Sequence, residues 1–417
     1  SRLVPCLIAT LAWFLFQVLL QKVLPCELVQ GAPLPRNDND TSAGVGGGGK
    51  GDCKRITYRI NGHLGFWVTL LLLGFGWPYW KFIDEASSAA AAAAGGEGWW
   101  TLQFGCAPLH LLYDYYTELA TASIIWCTLL SIYLYARTHT HRSSTETTTT
   151  SPLLLAKGGQ SGNHIYDFFI GRELNPTWGP NHTGFEWKEF CELRPGLILW
   201  VVLNLAFLSV QHSNLGYVSS SMLLVNAFQF FYVWDALYQE RAILTTMDIT
   251  TDGFGFMLVF GDMVWVPFTY SLQARYLVDH DPGMGWVGIT VILLVNMVGY
   301  GIFRGANSQK DAFRRDPSHP SVSHLKYHPT ERGTRLLISG WWGLARKVNY
   351  TGDWIMGLSW CLVCGFGSVV PYYYAVYFAI LLVHRSERDE HMCREKYGAD
   401  WGRYKELVPY RFIPGVL

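Results

Sequence analysis

One sequence feature restricts the fold more than any other: runs of about 20 mainly apolar residues recur along the chain, separated by shorter polar segments. A run of that length, wound as a helix, crosses the hydrocarbon core of a bilayer, and a helix satisfies its own backbone polar groups in lipid. We count roughly nine such runs. The pattern therefore predicts an all-α polytopic membrane protein with about nine transmembrane helices.

The last apolar run is long enough for two passes. Gly365, Gly367 and Pro371 interrupt it, so we expect a helical hairpin there. The predicted spans are Leu3–Leu24, Leu64–Trp80, Leu109–Ala136, Gly196–Val210, Val218–Leu237, Phe254–Leu277, Gly285–Phe303 and the hairpin Trp354–Val383.

The spans group into three predicted parts. Residues 1–163 combine N-terminal transmembrane helices with flexible loops, namely a glycine- and asparagine-containing stretch at 31–51 and an alanine- and glycine-rich one at 86–98. Residues 164–303 hold the central transmembrane helices, and residues 304–417 hold a basic loop, the hairpin and a polar tail. The run that begins at Leu3 lacks the pattern of a positively charged n-region followed by a small-residue cleavage site, so we expect a transmembrane helix of a longer chain rather than a signal peptide.

Charge excludes one class of partner. Lys and Arg total 32 and so do Asp and Glu, giving a net charge of zero, whereas a nucleic-acid partner would favour a basic excess. We also expect no metal site, because Cys361 and Cys364, spaced like zinc ligands, lie inside an apolar run without a partner pair.

Positive charge is concentrated in one loop, from Arg304 to Tyr350, and in the tail after His384. The positive-inside rule places both segments on the cytoplasmic side. Lys310 and Arg314 stand four residues apart and share one helix face, and two tryptophans follow in SGWWG at Ser339. Cations beside flat aromatic rings suit a ligand that carries both phosphates and rings. No G-x-G-x-x-G stretch opens a strand-helix unit, as the usual dinucleotide fold requires.

Polar side chains inside the predicted spans mark a second region. Asn204 and Gln229 are interpreted as helix-to-helix hydrogen-bonding groups, and Asp262 is expected to face a cavity or a cation rather than lipid. Tyr232 and Glu240 lie near one another at the end of the fifth span, where a phenol or a carboxyl group could donate a proton.

Several long motifs, taken together, resemble the sterol reductase family of the endoplasmic reticulum, and the likeness covers nearly the whole chain from Tyr58 onward. The DGFGFML and FGDMVWVP stretches resemble the delta-14 branch of that family more than the 7-dehydrocholesterol reductase branch. Other matching motifs are GNHIYDFFIGRELNP at Gly162, LRPGLILWVVLNLAF at Leu193, NSQKDAFRRDP at Asn307, LLISGWWG at Leu336, NYTGD at Asn349 and the tail from His384.

The resemblance implies NADPH as cofactor and a sterol taken from the bilayer as substrate. It implies reduction of the C14=C15 double bond of sterol 8,14-dienes in sterol biosynthesis, by protonation at carbon 15 and hydride addition at carbon 14. We expect the proton donor to be Tyr232, with Asp389 and Glu240 as rivals. The cofactor contacts implied by the motifs are Lys310, Arg314, Leu337, Trp342, Asn349, Tyr350, Arg385, Asp389, Cys393, Arg394, Glu395, Lys396, Tyr397 and Tyr404.

The resemblance also implies ten transmembrane helices, the first of which is missing here, in the endoplasmic reticulum membrane with a cytoplasmic C-terminal tail. Membrane lipid and other enzymes of the sterol pathway are the expected partners. Two positions depart from the family pattern: Thr251 replaces a histidine, and Lys347–Val348 replaces a His-Pro pair. We expect neither departure to touch the cofactor contacts.

Three alternatives stay open on sequence grounds. A delta-7 sterol reductase would use the same cofactor residues on another double bond. A methyltransferase of the isoprenylcysteine type has a similar tail after a similar hairpin but would bind S-adenosylmethionine. A non-catalytic sterol-binding scaffold would bind sterol without turnover.

Overall fold

A computed structural model describes residues 2–33, 55–74, 107–143, 153–178 and 185–416. These fall into two compact units. Unit one comprises Ser1–Tyr217 and Gln229–Arg275, and unit two comprises Val218–Phe228 and Tyr276–Leu417. The helix from Ser220 to Tyr238 contributes its first half to unit two and its second half to unit one.

Unit one is mainly helical, with two short strand pairs. Its elements are α1 (Leu3–Val23), β1 (Glu27–Pro33), β2 (Arg55–Ile60), α2 (Gly62–Gly74), α3 (Ala107–Asp114), α4 (Tyr116–Ser143), α5 (His164–Ile170), β3 (Thr177–Trp178), β4 (Phe185–Glu186), α6 (Trp187–Leu193), α7 (Pro195–Leu215), the second half of α8 (Ser220–Tyr238), α9 (Met247–Thr250), α10 (Phe256–Phe260), α11 (Val266–Thr269) and α12 (Leu272–Leu277).

The strands are a departure from the all-helical prediction. β1 pairs antiparallel with β2, and the pair buries Ile56 and Tyr58 against Leu244 and Ile249. Residues 31–33, predicted as the start of a flexible loop, are the end of β1. The rest of that loop, the alanine-rich stretch and the end of the second predicted span lie outside the described residues.

The sixth predicted span is an interrupted helix rather than a regular one. A π-helical turn, Gly261–Trp265, separates α10 from α11. Gly196 of α7 packs against this turn so closely that a Cβ atom there would lie 1.8 Å from the Asp262 carbonyl oxygen. Only glycine fits this approach, since no side chain tolerates such a contact. The Asp262 Oδ2 atom is buried and has no hydrogen-bond partner among the described residues.

Buried amides join the central helices, as predicted. The Gln229 side-chain oxygen accepts hydrogen bonds from Trp200 Nε1 at 3.0 Å and from Asn204 Nδ2 at 2.7 Å, both on α7. Its amide nitrogen donates to the Tyr270 carbonyl at 3.1 Å. The Gln229 side chain on α8 thus forms hydrogen bonds with groups on two other segments of unit one. Hydrogen bonds of this kind stabilise helix association in a membrane.

Unit two places a strand hairpin and the polar tail beside long helices. Its elements are the first half of α8, α13 (Trp286–Arg315), β5 (Tyr327–Pro329), β6 (Arg335–Leu337), α14 (Trp341–Leu344), α15 (Val348–Leu362), α16 (Tyr373–Tyr397) and α17 (Ala399–Leu407). β5 and β6 pair antiparallel.

The predicted hairpin is confirmed at its break. α15 ends at Leu362, Gly365 follows at φ +67°, and a short 3₁₀ turn over Val370–Tyr372 leads into α16. The polar tail begins within a helix, because α16 continues unbroken beyond Val383, where the last predicted span ends, to Tyr397. A single rigid element therefore links the apolar segment to the polar tail.

Four described helices are long and apolar enough to cross a bilayer: Leu3–Val23, Tyr116–His139, Trp187–Leu215 and Trp286–Arg315. Large apolar side chains on α1 and α13, such as Ile8 and Val287, are exposed in the isolated chain, which suits contact with lipid. The chain is a mostly helical multi-pass membrane protein. The total of nine spans stays a prediction.

Candidate functional site

A cationic cluster in unit two brings together residues that are far apart in sequence. Lys310, near the end of α13, places its ammonium 4.1 Å from the centre of the Trp342 ring. Trp342 is buried and donates its indole N–H to the Ala306 carbonyl at 2.8 Å, one helical turn before Lys310. The aromatic ring is thus fixed beneath the ammonium, an arrangement worth about 0.5–2 kcal/mol.

Lys347 lies in the same cluster, and this corrects the expectation that the departure at Lys347–Val348 leaves the cofactor contacts untouched. Its ammonium forms an ion pair with Asp389 of α16. It also lies 5.6 Å from the centre of the Tyr350 ring. Lysine changes the charge at this position, because a histidine there would be largely neutral at pH 7. In the sequence, Lys347 stands out only as a cation of the basic loop and as a departure from the family pattern.

Asp389 is held in its ionised form. Burial raises the pKa of its carboxyl group, but the Lys347 charge and hydrogen bond, the Lys310 charge and a hydrogen bond from Cys393 Sγ at 3.7 Å outweigh burial, so the pKa lies below the usual aspartate range. Burial and the neighbouring Asp389 charge have the opposite effect on the thiol, raising the pKa of Cys393 to about 11. Burial raises the pKa of Tyr404 to about 12.

The C-terminal segment supports the start of α15. The Arg346 and Lys347 backbone N–H groups donate to the carbonyl oxygens of Tyr410 and Arg411, at 3.0 and 2.8 Å. The Arg411 guanidinium in turn pairs with Glu390 at 2.7 Å. The backbone hydrogen bonds fix Lys347 directly, and the Arg411–Glu390 pair fixes the C-terminal segment that accepts them. The sequence alone did not reveal these contacts.

The residues expected to bind cofactor on α16 divide between two faces. Arg385, Asp389, Cys393 and Tyr397 follow one another at intervals of four, so they lie along one side of the helix. Cys393 and Tyr397 pack against a second cluster, whose buried members are Trp401, Tyr404 and Val408.

Arg394, Glu395 and Lys396 are exposed. Arg394 lies 3.8 Å from Glu390, and Glu395 lies 3.7 Å from His391. The structure does not bring these three side chains into the cationic cluster, and their part in cofactor binding stays a prediction.

The remaining predicted contacts line the cluster. Leu337, at the end of β6, is buried in the same hydrophobic group as Trp342, and Tyr350 follows Asn349 at the start of α15. Asn349 donates from Nδ2 to Asn307 Oδ1 at 3.2 Å. The Asn349 Oδ1 atom is buried without a hydrogen-bond partner among the described residues, so it is available to accept one from a ligand.

The cluster fits an anionic dinucleotide. The three basic side chains of Lys310, Arg314 and Lys347 outnumber the single carboxylate of Asp389 in this cluster. Arg314 is exposed, as a group that meets a phosphate from solvent should be. Phosphate would be favoured by the cations, and the Trp342 and Tyr350 rings lie beside them.

Of the three expected proton donors, Tyr232 and Glu240 belong to unit one and Asp389 to unit two. Glu240 is fully engaged: Oε1 pairs with Arg194 at 2.7 Å and Oε2 accepts the Gly62 N–H at 2.8 Å. Tyr232 is half-buried, with its ring 6.1 Å from that of Trp200.

Comparison with known proteins adds evidence independent of this geometry. The profile of the ergosterol biosynthesis ERG4/ERG24 family matches residues 92–417. Among similar proteins, a Delta(14)-sterol reductase of Ascobolus immersus is 44% identical over 98% of this chain and 84% of its own. The Delta(14)-sterol reductase erg24 of Schizosaccharomyces pombe is 51% identical over 75% of this chain and 70% of its own. The Delta(14)-sterol reductase LBR of Gallus gallus is 46% identical over 97% of this chain, which spans 55% of that longer protein.

Proposed function

Because the chain belongs to the ergosterol biosynthesis ERG4/ERG24 family, we propose that it reduces the C14=C15 double bond of sterol 8,14-dienes with NADPH. The observation that best supports this reaction is the likeness to Delta(14)-sterol reductases over nearly the whole chain. The helical membrane architecture supports a substrate drawn from the bilayer. We place the protein in the endoplasmic reticulum membrane with its tail in the cytoplasm, where sterol-pathway enzymes would be its neighbours.

The cationic cluster supports NADPH as the cofactor. Arg314 and Lys310 would bind the 2'-phosphate, the group that distinguishes NADPH from NADH, and Trp342, Leu337, Tyr350, Tyr397 and Tyr404 would contact its flat or apolar parts. Asn349 would use its unpaired side-chain oxygen as an acceptor. NADPH, when bound, would supply the hydride for the double-bond reduction.

The chain itself must supply the proton, and the geometry favours Tyr232 among the three candidates. Glu240 already holds Arg194 and the start of α2, so protonation there would release a buried arginine, at a cost of several kcal/mol. Asp389 has a pKa below the usual range and is a poor acid at neutral pH. Tyr232 is half-buried, and its neighbour Trp200 presents an aromatic face of the kind that stabilises a cationic intermediate.

Substitution of the phenols tests this assignment. We expect Tyr232→Phe to lose at least 100-fold in turnover of an 8,14-diene while binding NADPH as tightly as the unmodified protein, because only the proton is removed. Tyr404→Phe is the comparison, since Tyr404 is a buried phenol among the expected cofactor contacts. Full turnover by Tyr232→Phe, or its loss in Tyr404→Phe alone, would exclude Tyr232 as the donor.

Parallel assays of two sterols test the reaction itself. The purified protein in detergent should consume NADPH with an 8,14-diene sterol and not with a 7-dehydro sterol. Turnover of the 7-dehydro sterol alone would show a delta-7 reductase. NADPH binding without turnover of either sterol would favour a sterol-binding scaffold.

A further inference from the structure

Four polar side chains of unit one meet where the apolar part of α4 ends. Tyr135 and His139 lie in the last turns of the candidate membrane span Tyr116–His139, His164 begins α5, and Arg172 follows α5. The Tyr135 hydroxyl group lies 2.8 Å from His164 Nδ1, and the centre of the Tyr135 ring lies 6.0 Å from the Arg172 guanidinium carbon. The end of a membrane span is the depth at which lipid headgroups lie.

Arg172 is buried in this group without an acidic partner. Its side chain is 9% exposed, and its Nε atom has no hydrogen-bond partner among the described residues. The Nη1 atom lies 2.6 Å from His139 Nε2. Because a guanidinium group can only donate hydrogen bonds, His139 accepts this one and supplies no negative charge. The charge of Arg172 is therefore available to an anion.

The carboxylates nearest to Arg172 in the sequence are engaged with other groups. Glu173 pairs with Arg137 at 3.1 Å. Asp167 Oδ1 accepts hydrogen bonds from the Ser161 backbone N–H at 2.9 Å and from its hydroxyl group at 2.7 Å. No carboxylate in the described part of the chain forms an ion pair with Arg172. A buried charge without a counter-ion is unfavourable, and an anionic ligand would relieve this.

Backbone hydrogen bonds fix the segment that carries Arg172. The Arg172 carbonyl oxygen accepts the Ala156 N–H at 2.7 Å, and the Glu173 carbonyl oxygen accepts the Phe254 N–H at 2.8 Å. The guanidinium is thus held in place by its own backbone before a ligand arrives, which lowers the entropy lost on binding.

Exposed apolar side chains adjoin the polar group. On α5, Ile165 is 81% exposed, and Tyr166 and Phe169 are about half exposed. On α4, Tyr133 is also about half exposed. A soluble phosphate would meet only the polar side chains. A phospholipid carries its phosphate at headgroup depth and adds acyl chains that cover the apolar ones.

We propose that Arg172, together with Tyr135, His139 and His164, binds the phosphate group of an anionic phospholipid whose acyl chains lie along α4 and α5. All four residues belong to unit one, whereas the cationic cluster belongs to unit two. The site does not depend on the proposed reductase function.

Photolabelling of the full chain in detergent tests the proposal without cofactor or sterol. The probe is a phosphatidylglycerol with a photoreactive group in one acyl chain, and labelled peptides are identified by mass spectrometry. We expect label on the peptide that contains α5. Unlabelled phosphatidylglycerol should compete roughly fivefold better than phosphatidylcholine with the same acyl chains, since a basic residue near the membrane surface attracts an anionic headgroup. Glycerol phosphate, a soluble form of the same group, should not compete.

Three substitutions make the test specific. Arg172→Gln should abolish the preference for phosphatidylglycerol and leave competition by phosphatidylcholine unchanged. His164→Ala removes an exposed side chain and should roughly halve the preference. Lys22→Ala is the matched control, because Lys22 is an exposed cation at the end of α1, another candidate span, and it should retain the preference. Thermal melting shows whether each variant is folded, and His164→Ala decides the test if Arg172→Gln is not.

Four results would overturn the proposal. The first is the absence of label on the α5 peptide. The second is equal competition by the two phospholipids in the unmodified protein, which would indicate a site for acyl chains alone. The third is full competition by glycerol phosphate, which would indicate a site for a soluble phosphate. The fourth is an unchanged preference in folded Arg172→Gln or, where only that variant folds, in His164→Ala. Since NADPH and sterol are omitted, failure of the reductase assay leaves these results intact, and the reverse also holds.

Discussion

The ion pair between Lys347 and Asp389 sets the charge that a cofactor would meet in unit two. Removal of the lysine leaves an uncompensated, half-buried carboxylate beside the expected phosphates. We expect Lys347→Ala to weaken NADPH binding by at least tenfold, since it removes an attractive charge and exposes a repulsive one. Equilibrium binding measured by quenching of tryptophan fluorescence would give the dissociation constant.

The same ion pair can be tested by a double-mutant cycle, for which the direction of the change in NADPH affinity is predicted. Adding Asp389→Asn to Lys347→Ala should recover part of the lost affinity, because the repulsive carboxylate is removed as well. Lys326→Ala, at an exposed lysine of the same basic loop, is the control and should change binding little. Equal losses in all three variants would mean that the loop attracts NADPH only through its general charge.

Cys393 provides a pH-dependent test of the same neighbourhood. A thiol with a pKa of about 11 has roughly one thiolate in a thousand molecules at about pH 8, whereas a free cysteine has roughly one in four. We expect alkylation by iodoacetamide at that pH to be about a hundredfold slower in the folded protein than after unfolding. The rate should rise tenfold per pH unit up to about pH 10, and labelled peptides measured by mass spectrometry would show it. A rate in the folded protein close to the unfolded one would contradict the assigned environment.

At the scale of elements, α13 and α15 meet through two glycines. A Cβ atom on Gly352 would lie 2.5 Å from the Phe303 backbone nitrogen and 2.6 Å from the Gly299 carbonyl oxygen. These two helices carry Lys310 and Asn349 into the cationic cluster. Close approach of their backbones therefore positions the site.

Gly352→Ala should separate α13 from α15, lower stability by about 1–3 kcal/mol and weaken NADPH binding together. Gly301→Ala is the matched control on α13, because a Cβ atom there meets nothing within 4 Å. It should be neutral or slightly stabilising, since alanine favours helix more than glycine does. Thermal melting in detergent compares the two, and equal melting temperatures would show that the helices do not depend on this contact.

Prediction from sequence succeeded for elements that depend on local chemistry. The hairpin break was readable because Gly365, Gly367 and Pro371 lie close together, and proline removes a hydrogen bond from a helix interior. The π-helical turn at Gly261–Trp265 was not readable, because it depends on the contact with Gly196, 65 residues earlier. The β1–β2 pair was also missed, because strand pairing depends on a contact between segments that are separated in the sequence.

The candidate site shows the same division. Lys310, Trp342 and Asp389 were named from sequence motifs and lie together in the structure. Lys347 was noticed only as a departure from a family pattern, because nothing in the sequence shows that the start of α15 faces α16. The support from the C-terminal segment was equally hidden, since backbone hydrogen bonds leave no trace in residue identity.

At the scale of the whole molecule, the proposed function requires two properties of one chain. The membrane helices must give access to an insoluble sterol, and the cationic cluster must bind a soluble cofactor. Unit one holds the proposed proton donor, and unit two holds the cluster suited to NADPH. The account requires both properties to serve one reaction at the C14=C15 double bond.

The transfer of deuterium tests that requirement most directly. The purified protein would be incubated with an 8,14-diene sterol and NADPH deuterated at its transferable position, and the product examined by NMR. We predict a sterol reduced at C14=C15 with one deuterium at carbon 14 and a solvent-derived hydrogen at carbon 15. Deuterium at another carbon, or a product with its 14,15 double bond intact while NADPH is consumed, would contradict the account.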